Sequence, residues 1–96
     1  MQVIFTPAAR SELIDAEDWY EARLPGLGMR FREEVQATIF RLQANPHQFP
    51  TVLQDVHRAR LYKFPYSLFF RVEVDALVVI ACFHGSRDPL RWERRV

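Results

Sequence analysis

Cysteine, glycine and long apolar runs are scarce in this 96-residue chain, and each scarcity removes a class of protein. With one cysteine, Cys82, no intramolecular disulfide can form. That argues against an oxidised secreted scaffold and favours a reducing cytoplasm. Three glycines leave no phosphate-cradling Gly-rich loop. No apolar stretch is long enough to span a bilayer, and the start, Met-Gln-Val-Ile-Phe-Thr-Pro, carries no basic leader or cleavage pattern. Cys and His are not paired at zinc spacing, no Glu-x-x-His or His-x₃-His pair exists, and nothing resembles a nucleophile elbow. The expectation is a cytoplasmic domain, residues 1–96, with no metal, no small-molecule cofactor and no membrane.

What is present suffices for one core: 49% hydrophobic residues and 14% aromatics need neither a metal nor a disulfide to hold them. The net charge of +1 conceals an asymmetry. Residues 1–55 hold five arginines against eight acids, whereas 56–96 hold seven arginines and Lys63 against four acids. An anionic surface would therefore be met by the second half.

A short β-prone run, 2–5, precedes Thr6-Pro7, an N-cap followed by proline where its missing N–H costs nothing. Ala9, Leu13, Ala16 and Tyr20 then share one helical face, and Glu12, Asp15, Asp18 and Glu21 flank it toward solvent. The 24–28 stretch, Leu-Pro-Gly-Leu-Gly, ends this helix. A second follows to Ala44 with Leu27, Phe31, Val35, Ile39 and Leu42 inward, and Asn45-Pro46 stops it. The short link predicts an antiparallel helical hairpin in need of a covering layer.

Residues 47–56 read as an irregular connection. The runs 57–64, 66–74 and 77–83 read as three strands, turning at Phe64-Pro65 and Asp75-Ala76. The expected class is α+β, in the order β-α-α-β-β-β, with the hairpin packed on one face of an antiparallel-rich sheet.

Those turns pair Lys63 with Tyr66 and Val74 with Leu77 and so assign the faces. Tyr66, Leu68, Phe70, Val72, Leu77, Val79, Ala81 and Phe83 would meet the helices. The opposite face would collect Arg58, Arg60, Tyr62, Ser67, Phe69, Arg71, Val78, Ile80, Cys82 and His84. Three guanidiniums there suit phosphate oxygens or an acidic peptide, because each offers a planar pair of donors. The apolar Phe69, Val78 and Ile80 beside them call for a protein cover. For an average domain such arginines are a solvated face, and their concentration on one face makes the two readings about equal. After the last strand, Gly85 permits an unusual backbone angle, Asp88-Pro89 can cap a last helical turn, and Arg87 leaves the sheet beside the basic face.

Ala9, Leu13, Trp19-Tyr20, Pro25-Gly26-Leu27-Gly28, Phe31, Pro46, Phe49-Pro50, Phe64-Pro65-Tyr66 and Phe70-Arg71-Val72 form a recognisable series. The closing His84-Gly85-Ser86-Arg87-Asp88-Pro89 with Trp92 completes it. The pattern resembles the RelE/ParE superfamily of type II toxins, of the plasmid stabilisation type, over nearly the whole chain. That resemblance implies a bacterial growth-inhibiting toxin, neutralised by a cognate antitoxin for which Phe69, Val78 and Ile80 are candidate contacts. One branch cuts messenger RNA on the ribosome; the other acts on DNA gyrase as a protein inhibitor. In a nuclease, Arg71 and Arg87 would stabilise charge with His84 as substitute base, while Arg58, Arg60 and Lys63 position the backbone. The tyrosine that commonly serves as base is missing, since no tyrosine follows Tyr66, and Ser67 stands where an arginine is common. These departures tilt the expectation toward gyrase and leave open whether the chain is an enzyme. A toxin-like regulatory partner without activity is the further alternative.

Overall fold

The computed structural model describes residues 1–86 and 93–95. Strand β1 (Gln2–Phe5) leads to α1 (Pro7–Arg23) and α2 (Leu27–Ala44), and a single 3-10 turn (Pro46–Gln48) precedes four further strands. These are β2 (Thr51–Leu53), β3 (Val56–Arg60), β4 (Tyr66–Val72) and β5 (Ala76–His84). One sheet results, in the order β1-β5-β4-β3-β2, with β1 and β5 parallel and the other neighbours antiparallel. The architecture is the expected α+β hairpin-on-sheet, with one more strand than the sequence reading supplies. Three residues of β2, lying just after Pro50, are too few to show alternation, and they are held by pairing with β3. Among the described residues no helix is long and apolar enough to cross a membrane.

Helix α1 begins as its sequence dictates: the Thr6 hydroxyl accepts a hydrogen bond from the Ala9 N–H at 3.2 Å, and Pro7 takes the first turn. Its inward stripe is Ala9, Leu13, Ala16 and Tyr20. The turn into α2 depends on Gly26, whose φ of +91° lies in the left-handed region where a side chain is strained. Gly26 offers no side chain to cap α2. The Glu21 carboxylate replaces it by accepting hydrogen bonds from the N–H groups of Gly26 and Gly28 at 3.0 Å each. An anion at a helix N-terminus also meets the positive end of the helix dipole.

Between hairpin and sheet, Phe31, Val35, Leu42, Leu68, Phe70, Leu77 and Val79 have lost all contact with solvent. Burial of each contributes about 1.5–3 kcal/mol. Tyr20, Phe31, Phe64 and Tyr66 form an aromatic cluster at one end, with centroids 4.9 to 6.0 Å apart and mostly edge-to-face.

The strand registers correct the sequence reading in two ways. In β3–β4, Arg60 faces Ser67 and Arg58 faces Phe69, because the connection runs over residues 61–65, with Lys63 at φ +66°, instead of turning at Phe64-Pro65. The displacement is two residues, so Arg58 and Arg60 keep their face. In β4–β5, Val72 instead of Val74 faces Leu77 near the turn, again a two-residue displacement that keeps the faces, but a β-bulge leaves Ile80 without a register partner, and beyond it Phe69 faces Ala81 and Tyr66 faces His84. One extra residue reverses every side chain after it. Cys82 and His84 therefore lie on the helix side of the sheet, and Ala81 and Phe83 on the far side, opposite to expectation.

Phe69, Val78 and Ile80 are on the far side as expected, Phe69 and Ile80 buried and Val78 half-buried. They join Val56, Ala81 and Phe83 in a second, smaller core in which Phe69 and Ile80 are only 6% and 5% exposed. The chain itself contributes cover: the Arg95 guanidinium lies 5.2 Å over the Phe83 ring and donates to the Ile80 carbonyl at 2.9 Å.

Candidate functional site

Alternation along β3 puts Arg58 and Arg60 on one face two residues apart, and the end of the sheet gathers them into a notch. Ser67, Tyr66, Pro65 and Gly85 complete its walls. The Arg58 Nε–H donates to the Ser67 hydroxyl at 3.0 Å, which fixes the guanidinium. Neither arginine forms an ion pair among the described residues. Burial, and behind it the neighbouring Arg60 charge, lowers the Arg58 pKa from its ordinary value. Two like charges held together without a counterion suit an anion with several oxygens.

The other basic candidates go elsewhere. Arg71 shares the far face but is displaced toward the opposite end of β4, where its Nε meets Asp55 at 3.4 Å. Both groups are substantially exposed, so the pair contributes little to stability. Lys63 lies toward the helical hairpin, lining a cleft with Tyr20, Leu27, Arg30, Glu33 and Glu34. Arg87, together with Asp88-Pro89 and Trp92, lies outside the described residues.

His84 stands on the helix side, edge-on to Tyr66 with centroids 5.2 Å apart. Its Nδ1 accepts a hydrogen bond from the Ser86 N–H at 3.0 Å, so the neutral ring carries its proton on Nε2. The sheet itself separates His84 from Arg71. The expectation that the two share a face is corrected by the bulge at Ile80, which sequence alternation does not reveal.

Two residues shape the helix side without any signal in the sequence pattern, Glu12, which periodicity places toward solvent, and Arg95. Glu12 on α1 accepts the Cys82 N–H at 3.0 Å and pairs with Arg95 at 2.7 Å. The 70-residue separation of Glu12 and Cys82 leaves no local signal for the contact. The buried Cys82 thiol, pushed up to about 12 by burial and then by the Glu12 charge, is no nucleophile at neutral pH.

Comparison with protein families matches residues 3–89 to the model for the ParE toxin of type II toxin-antitoxin systems, parDE. The chain belongs to the ParE toxin family. Comparison with curated protein sequences gives no match. Among solved structures, a chain of the chromosomal ParDE toxin-antitoxin system from P. aeruginosa superposes with a TM-score of 0.77 at 20% identity. The alignment covers 88% of this chain and 95% of that one, a likeness of fold. The arginine notch thus lies on one side of the sheet and His84 on the other.

Proposed function

We propose that this chain is the toxin half of a type II toxin-antitoxin pair, neutralised in the cytoplasm by a cognate antitoxin, and that it arrests growth through DNA gyrase without cutting RNA. The observation that carries the reading is the separation of the nuclease candidates. Arg71 and His84 occupy opposite faces of the sheet, and no tyrosine follows Tyr66 to act as base. General acid–base cleavage needs its groups within hydrogen-bond reach of one scissile phosphate. A protein inhibitor needs only complementary surface.

One observation favours the ribosome-dependent nuclease instead: Arg58 and Arg60 form a notch suited to a phosphate backbone. Inducing the chain alone in bacterial cells separates the two. Growth arrest with intact messages and impaired supercoiling supports gyrase as target; arrest with codon-positioned cuts on translating ribosomes refutes it. Folded protein that leaves growth unaffected would refute the toxin itself. Replacing Arg71 or Arg87 with alanine is expected to lower toxicity while leaving the protein folded.

A further inference from the structure

His47 and His57 are ten residues apart in the sequence, outside the short spacings that mark zinc sites, yet the fold brings their rings together. His47 sits in the 3-10 turn after α2 and His57 in β3, with ring centroids 6.0 Å apart and planes at 70°. The third histidine, His84, faces Tyr66, four β4 residues away from Phe70, the register partner of His57.

His57 is oriented in the way a metal ligand needs. Its Nδ1 lies 2.7 Å from the Phe49 carbonyl, and because a carbonyl only accepts, Nδ1 carries the proton. The neutral ring then keeps its lone pair on Nε2. Stacking on Phe70, at 5.0 Å and 18°, fixes the ring plane. A main-chain carbonyl that holds one ring nitrogen and so sets the tautomer and direction of the other is the usual support of a metal-bound imidazole. His47 is exposed, so its side chain can turn with little packing to lose. Two imidazoles on one tetrahedral ion, with metal–nitrogen bonds of about 2 Å, place their ring centres about 5 Å apart, so a movement of about 1 Å closes the site.

We propose that His47 and His57 form a two-histidine site for a borderline transition-metal dication such as Zn²⁺, with water in the remaining positions. Imidazole nitrogen selects such ions over Mg²⁺ and Ca²⁺, which prefer oxygen. No group of three or more His, Cys, Asp or Glu gathers among the described residues, and the Arg41 guanidinium lies 5.6 Å over the Phe49 ring; both facts make the site weaker than a four-ligand zinc centre. An ion held by both histidines ties the turn after α2 to β3 and closes the intervening segment, β2 included, into a loop. The proposal is independent of the toxin reading.

The test titrates the full chain with zinc chloride and follows the imidazole nitrogens of its three histidines by NMR. Before metal is added, His57 should show a protonated Nδ1 and a bare Nε2. Zinc is expected to shift His47 and His57 together, saturably, and to leave His84 nearly unmoved. At about ten times its dissociation constant it should raise the melting temperature by about 5 °C or more. His47→Ala should keep the metal-free melting temperature and lose both effects, His84→Ala should keep both, and magnesium chloride should produce neither. Zinc shifts centred on His84, a zinc-dependent rise that survives in His47→Ala, or no saturable shift at millimolar zinc in the wild type would each overturn the site.

Discussion

Replacing Gly28 with alanine sets two effects of opposite sign against each other where α1 and α2 approach. Alanine is the better helix former by up to about 1 kcal/mol, and it restricts the unfolded chain. Against this, a Cβ at position 28 would sit 2.9 Å from the Glu17 main-chain carbonyl, 2.9 Å from a Glu21 carboxylate oxygen and 3.0 Å from the Glu21 Cβ. The Glu17 oxygen belongs to the backbone of α1 and can retreat only if the helices part, an overpacking cost of about 1–3 kcal/mol. Displacing Glu21 also strips the Gly28 N–H of its acceptor, for about 1 kcal/mol more.

The sterics win by about 1–3 kcal/mol. At about 4–8 °C per kcal/mol for a chain of this size, the melting temperature should fall by roughly 5–20 °C. Circular dichroism on heating and urea titration measures it, and a cycle with Glu21→Ala separates the two obstacles. If the Glu21 carboxylate is the main one, the glycine-to-alanine change costs little in the Glu21→Ala background. If the Glu17 carbonyl is, the cost remains. A Gly28→Ala protein as stable as wild type, or more so, would refute the close-approach argument.

Phe70→Ala, which empties a site with no solvent exposure under His57 and Phe49, should cost about 3–5 kcal/mol in urea unfolding. Glu21→Gln keeps the size of the cap but loses its charge at the start of α2; it should lower stability by about 0.5–1 kcal/mol, and less in high salt. For Cys82, burial raises the folded thiol to about 12, so the neutral thiol favours the fold fully below the unfolded thiol range. That stabilisation is lost as the pH rises toward 12; Cys82→Ala should remove this alkaline decline in unfolding experiments, and labelling of wild-type Cys82 at pH 8 should be slow until the protein unfolds.

Local rules made the helical half of the fold legible. Thr6-Pro7, the four-three-four spacing from Ala9 to Tyr20 and the Asn45-Pro46 stop each act within one or two turns, and each appears in the structure. Strand identity was legible for the same reason, but register was not. The two-residue displacement at 61–65 was harmless because parity survived it. The bulge at Ile80 was not, because β5 reads as a continuous apolar run from Ala76 to Phe83 and carries no alternation that could reveal an inserted residue. Arg58 and Arg60 were legible as neighbours because alternation within one strand suffices to place them. Glu12 and Arg95 were not, because they meet across 83 residues at an edge that exists only once β1 stops short.

Charge is unevenly distributed about the sheet. The acidic excess of residues 1–55 includes Glu12 and Asp15, which face the β5 edge on the helix side, while part of the basic excess of 56–96 forms the notch at Arg58 and Arg60. A protein with a net charge of only +1 should then bind a polyanion mainly through local basic clusters such as the notch. Arg58→Ala/Arg60→Ala is expected to elute from immobilised heparin at clearly lower salt than wild type, and Asp15→Asn, which alters net charge on the other side, to shift little. Equal shifts for both variants would mean that retention follows total charge, and the notch would then be an ordinary solvated pair of arginines.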